Sequence, residues 1–158
     1  MQNRLFVFLS LYLCAMSKTI IHFFKEGVRF RLQNQEPLKE WIESAFKKNK
    51  IKVESISYIF SSDKYLLKLN KDFLQHNYFT DIITFDNSNQ KGKVEADIFI
   101  SIDRVSANAK NFDTTFQNEL HRVMIHGALH LMGYKDKTAP DKKKMRAAEE
   151  FWLKKRNF

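Results

Sequence analysis

Two histidines four residues apart, in the stretch His126-Gly-Ala-Leu-His130-Leu-Met-Gly133-Tyr-Lys-Asp136, have the spacing that a helix-borne transition metal needs. On an α-helix that separation is about 40° of rotation and about 6 Å of rise, so both imidazoles can reach one ion. Gly133 is placed to end the helix in a left-handed conformation, and the turned chain can bring Asp136 back as a third ligand. Three nitrogen or oxygen ligands with an open fourth position are the pattern of catalytic zinc, whose remaining position holds a water of lowered pKa. One Zn2+ per chain, on His126, His130 and Asp136, is therefore the expected cofactor.

His121 lies five residues before His126, about 140° around the helix, and is left out of the site as a surface residue or one behind the ligands. Zinc proteases share the two-histidine spacing but carry a Glu directly after the first His as general base. Here that position is Gly127. A metallopeptidase is disfavoured for want of that base, and a metal-dependent hydrolase with another substrate remains.

The pattern His126-Gly127-x-Leu129-His130-Leu131-x-Gly133-Tyr134 resembles the signature of the bacterial YbeY family, metal-dependent endoribonucleases and rRNA maturation factors. Further matching pieces precede it in order: Leu69-Asn70, Thr80-Asp81-Ile82-Ile83-Thr84-Phe85, Ala96-Asp97-Ile98-Phe99-Ile100-Ser101, and then Arg122. The resemblance runs from about Met16 to the C-terminus. It implies a single-strand-selective endoribonuclease acting at the 3′ end of 16S rRNA and in ribosome quality control. The implied partners are single-stranded rRNA, the ribosome and small-subunit assembly factors, in the cytoplasm.

Two departures from the family pattern stand out. The family's commonest form has a third histidine where this chain has Asp136; a carboxylate is also a competent zinc ligand. A family arginine proposed to assist catalysis falls on Leu74, which cannot hold a phosphate. His76, Lys71 or Arg122 could supply the missing cation, with His76 the first choice. That gap keeps a second reading open, a ribosome-assembly factor that binds rRNA but cleaves weakly or not at all.

Composition agrees with a polyanionic partner. The 158 residues fit one domain, and 27 Lys and Arg against 18 Asp and Glu give a net charge of +9. Lys135, Lys137, Lys142, Lys143, Lys144 and Arg146 follow the histidine motif, and Lys154, Lys155 and Arg156 lie near the chain end. They read as a phosphate-binding rim, with an ordinary solvated face the alternative for Lys142 to Lys144. Among fifteen Phe, five Tyr and two Trp, Phe46, Phe60, Phe99 and Phe151 are expected in the core. Tyr78 and Phe79, before Thr80-Asp81, are the candidates to stack on unpaired bases.

Leu5 to Ala15 form an apolar run behind one Arg, like a secretory h-region and too short to cross a membrane as a helix. Leu13 spoils a lipobox at Cys14, so residues 1–15 are read as an upstream start and 16–158 as the functional domain, with no membrane partner expected. Cys14 is the sole cysteine, so no intrachain disulfide forms.

The elements that must position these residues are α+β: a single compact domain with a mixed, mostly antiparallel-edged sheet of about four strands covered by helices. Thr19–Phe24 and Val28–Leu32 read as a hairpin or two adjacent strands. Pro37 opens a helix with the stripe Leu38, Trp41, Ile42, Ala45 and Phe46. Val53–Phe60 alternates as a strand, and Ser62-Asp63 caps a helix with Leu66, Leu69 and Phe73 inward and Asn70 as their polar neighbour. Ile82–Phe85 and Val94–Ile100 read as neighbouring antiparallel strands, followed by a short helix after Ser101. The central helix spans about Thr114 to Met132, with Phe116, Leu120, Val123, Met124 and Ala128 toward the core. Glu119, Arg122, His126 and His130 share another face, where Glu119 either orients a histidine or pairs with Arg122 or a nearby Lys. Thr138-Ala-Pro-Asp141 opens a terminal helix with the stripe Met145, Ala148, Trp152 and Lys155.

Overall fold

The computed structural model describes residues 20–158, so the apolar prefix 1–15 and its reading lie outside the described residues. Four strands, β1 (Ile21–Lys25), β2 (Lys52–Ser61), β3 (Ile82–Asp86) and β4 (Lys93–Ser101), form one mixed sheet in the order β1-β2-β4-β3. β1 and β4 each run parallel to β2, and the antiparallel pairing lies at the β3 edge. Among the described residues five helices cover it: α1 (Gln35–Lys48), α2 (Asp63–Leu74), α3 (Ile102–Asn111), α4 (Phe116–Leu131) and α5 (Ala139–Lys154). None of them is long and apolar enough to cross a membrane.

The alternation of β2 and β4 decides where α4 sits. Ile56, Tyr58, Phe60, Ala96, Ile98 and Ile100 are buried on one face, against which α4 turns Leu120, Val123, Met124 and Ala128. Tyr58 reaches far enough to donate its hydroxyl proton to the Met124 carbonyl at 3.1 Å. Gly127 permits the close approach: a Cβ there would stand 2.7 Å from Ile82 Cδ1 and 3.1 Å from Ile98 Cγ2. A side chain at position 127 thus meets the sheet, which is a second reason why no protease-type base belongs there.

Four of the five helices begin at a hydroxyl cap. Ser62, Ser101, Thr115 and Thr138 each accept a backbone N–H three residues on, offsetting donors that the first turn leaves unpaired. Several expectations need correction. No strand forms over Val28–Leu32. Because β1 pairs in parallel with β2, the chain must cross over between them, and Val28, Phe30 and Leu32 pack on the core without joining the sheet. In α2 the inward residues are Leu66 and Asn70, while Phe73 overhangs the edge of the sheet at 66% exposure. Phe151 is also exposed, with the Lys48 ammonium 3.9 Å above its ring.

Candidate metal centre

α4 ends as its glycine requires. Gly133 has φ 93°, its N–H donates to the His130 carbonyl, and the Tyr134 N–H donates to the Leu129 carbonyl. This paired closure reverses the chain and returns Asp136 toward the helix. It also presents the Tyr134 carbonyl to His130 Nδ1 at 3.0 Å. The Nε2 atoms of His126 and His130 are 2.9 Å apart, and Asp136 Oδ2 lies 3.7 Å and 3.5 Å from them. A triangle with these sides has a circumscribed radius of about 2.0 Å, so one point lies at zinc-ligand distance, about 2.0–2.2 Å, from all three atoms.

The protons strengthen that fit. His126 Nδ1 faces the Glu149 carboxylate at 2.6 Å, and His130 Nδ1 faces a carbonyl, so each neutral ring carries its proton on Nδ1. Both Nε2 atoms then present lone pairs to each other and to a carboxylate oxygen. Three converging lone-pair donors repel one another unless a cation lies between them, and the donor set therefore fits a divalent metal.

A model of the family described as "Endoribonuclease YbeY" matches residues 23–157. This chain belongs to the YbeY endoribonuclease family. The Cytophaga hutchinsonii protein named "Endoribonuclease YbeY" is 52% identical over 143 residues, covering 90% of this chain and 100% of the relative. The protein of that name from Porphyromonas gingivalis is 46% identical over 130 residues, covering 82% and 85%. The solution structure of TM1509 from Thermotoga maritima superposes with a TM-score of 0.57 at 28% identity, covering 85% of this chain and 87% of that one.

Within this member of the YbeY family, the structure gathers His126, His130 and Asp136 into one cluster. His76 sits in the loop after α2, with its Nδ1 3.1 Å from the Tyr78 hydroxyl. Leu74 and Lys71 are exposed. Arg122 is occupied: Nε and Nη2 donate to Glu119 at 2.9 and 2.7 Å, Nη1 donates to Glu149 at 3.4 Å, and Nη2 lies 3.6 Å from Asp81. The hydrogen bonds that Arg122 donates to Glu119, with the charges of Glu119, Glu149 and Asp81, raise its pKa further above its already high value. Arg122 is therefore a fixed cation that knits acidic residues together behind the ligands.

Glu119 takes the plain ion pair with Arg122, and the carboxylate that orients a histidine is Glu149 on α5. The sequence does carry a sign of it. Glu149 lies between Met145 and Trp152 at helical spacing, and all three are buried, with Glu149 6% exposed. A carboxylate inside an apolar stripe requires a polar partner. His121 is neither at the surface nor behind the ligands: it is buried against Trp41 and Phe158 and accepts a hydrogen bond from Arg156 at 2.6 Å. Burial, followed by the Arg156 charge, lowers its pKa to about 4. Arg156 accordingly turns inward, away from the expected basic rim. Lys135 and Lys144 do flank the motif, lining a shallow cleft of about 260 Å³ with Tyr134 and Asp141.

Proposed function

We propose that this chain is a zinc-dependent endoribonuclease, selective for single strands, that matures the 3′ end of 16S rRNA and serves ribosome quality control in the cytoplasm. The observation that carries the reading is the convergence of His126 Nε2, His130 Nε2 and Asp136 Oδ2, with both ring protons committed elsewhere. When bound, zinc supplies Lewis acidity toward a phosphodiester and makes water ionisable near neutral pH. The chain's own residues do the rest. Glu149 and the Tyr134 carbonyl lock the two rings so that their lone pairs face inward. Lys135 and Lys144 set positive charge along the neighbouring cleft, where it attracts the phosphate backbone and weakens with added salt. The ribosome and small-subunit assembly factors are the partners this role requires.

The test is metal content together with cleavage of a single-stranded rRNA fragment by the purified chain, His130→Ala and Asp136→Ala. About one zinc per chain, with cleavage lost in both variants, is the expected result. Metal bound without metal-dependent cleavage would refute the nuclease mechanism, and no metal at all would refute the site. A second reading, an rRNA-binding assembly factor of weak activity, is favoured by the engagement of Arg122 with three carboxylates and by leucine at position 74. His126→Ala separates the two: rRNA maturation that persists in this variant supports assembly, and its loss with ribosome binding intact supports catalysis.

A further inference from the structure

The loop between α2 and β3 exposes two adjacent aromatic side chains, Tyr78 and Phe79. Tyr78 is 57% and Phe79 49% exposed, although large aromatic rings ordinarily bury most of their area. Neither ring hangs loosely. The His76 and Tyr78 rings are stacked with centroids 5.1 Å apart and planes within 22°, and the Tyr78 hydroxyl meets His76 Nδ1. The Arg104 guanidinium stands 4.8 Å from the Phe79 ring centroid and is itself held by Asp63 at 2.6 Å. Each ring is thus supported by a neighbouring planar group.

The backbone beneath them is fastened at both ends. Asn70 is a polar side chain at 2% exposure, and its Nδ2 donates to the Tyr78 carbonyl at 2.9 Å. The Asn70 carbonyl in turn accepts the His76 N–H at 3.1 Å, closing the turn that begins at Gln75 with φ 56°. On the far side, the Asp81 carbonyl accepts the Ser101 N–H at 2.9 Å, and its carboxylate meets Asn108 and Arg122. Phe79 is two residues from Asp81, at most about 7 Å of chain, and Arg122 lies one helical turn before the ligand His126.

We infer that Tyr78 and Phe79 form a preorganised stacking platform for unpaired nucleobases of the strand entering the metal centre. This deepens the proposed nuclease reading and rests on it. An exposed ring face accepts any base, whereas bases in a duplex are already stacked on each other, so the platform selects single strands. Lys71, one residue beyond Asn70, is exposed and forms no ion pair among the described residues, leaving a cation to meet a phosphate, while Lys68 and Arg104 are paired with Asp72 and Asp63. Because the loop is already ordered, binding a base requires little further ordering of the protein.

The test uses metal-free full-length protein, so that RNA is bound without being cut, and a fluorescently labelled single-stranded RNA of mixed sequence read by anisotropy. Tyr78→Ala and Phe79→Ala should each weaken binding about 5- to 150-fold, the range for loss of one stacked base. The ring-preserving Tyr78→Phe and Phe79→Tyr should stay close to the parent. A strand with abasic sites, carrying equal charge, should bind the parent and the alanine variants alike. Alanine variants that bind within twofold of the parent would overturn the inference and leave the patch as a protein-docking surface. So would an abasic strand held by the parent as tightly as the normal one. Metal-loaded cleavage separates the two levels. A parent that cuts RNA while the alanine variants bind and cut normally refutes stacking alone, and a parent that neither binds nor cuts RNA refutes both readings.

Discussion

Removing the Glu149 carboxylate should loosen the metal centre without touching a metal ligand. Its oxygen stands 2.6 Å from His126 Nδ1 and its other oxygen 3.4 Å from Arg122 Nη1, in a site shielded from water. Glu149→Ala leaves the imidazole N–H without an acceptor, frees the ring to rotate and makes Nε2 a poorer donor. Loss of such a partner behind a ligand typically costs about 10- to 100-fold in metal affinity, or about 1.4–2.7 kcal/mol. Glu149→Gln retains an acceptor without the negative charge and should fall between parent and alanine. Zinc affinity is measured by competition with a chromophoric chelator, and the zinc-induced rise in melting temperature provides an independent reading. Glu119→Ala is the control: it removes the two shortest bonds to Arg122 but makes no contact with His126. It should destabilise the metal-free fold while leaving zinc affinity much nearer the parent's. Zinc affinity of Glu149→Ala within twofold of the parent, or an equal loss in Glu119→Ala, would refute the view that Glu149 orients His126 directly.

Gly127→Ala should destabilise the fold, because the new methyl stands 3.1 Å from Cγ2 of the fully buried Ile98, and overpacking there costs about 1–3 kcal/mol, against up to about 1 kcal/mol gained in helix propensity. At this chain length a net loss of 1 kcal/mol lowers the melting temperature by about 2–4 °C, and an unchanged midpoint would count against the close-approach argument. His121 has a folded-state pKa of about 4, below the ordinary 6.5, so the unfolded chain binds the proton more readily and stability falls as pH drops through this window. The difference amounts to about 3 kcal/mol by pH 4, and His121→Gln, which keeps an acceptor for Arg156, should flatten that part of the stability profile in urea titrations. Asp136→His restores a third imidazole on a partly exposed turn; about one zinc per chain should still bind, as elemental analysis of the purified variant would show.

Much of the site could be read along one stretch of chain. Helix geometry fixes where residues four apart point, so His126 and His130 declare themselves as a pair, and Gly133 marks where the chain must turn for Asp136 to return. The strands around Ile56, Ile98 and Ile83 are equally legible, because alternation and β-branching are local signals. The hydroxyl caps at Ser62 and Thr138 belong to the same class.

The misreadings share another cause. Val28–Leu32 has the composition of a strand, yet β1 pairs in parallel with β2 instead of turning back as a hairpin, and the segment packs on the core outside the sheet. Phe73 follows the helical stripe of α2 but meets the sheet only edge-on, at Phe85 of the edge strand β3, and stays exposed. That Arg122 faces three acidic side chains, from α4, α5 and the loop before β3, is likewise visible only in space. Spacing and residue chemistry therefore pointed to the cluster of His126, His130 and Asp136 and to most elements from the sequence alone. Only the tertiary structure decided which carboxylate stands behind His126, where Arg122 spends its charge and how the aromatic loop is held. Those contacts join segments whose separation along the chain says nothing of their distance in space; Glu149 meets His126 across 23 residues because α5 packs back on α4.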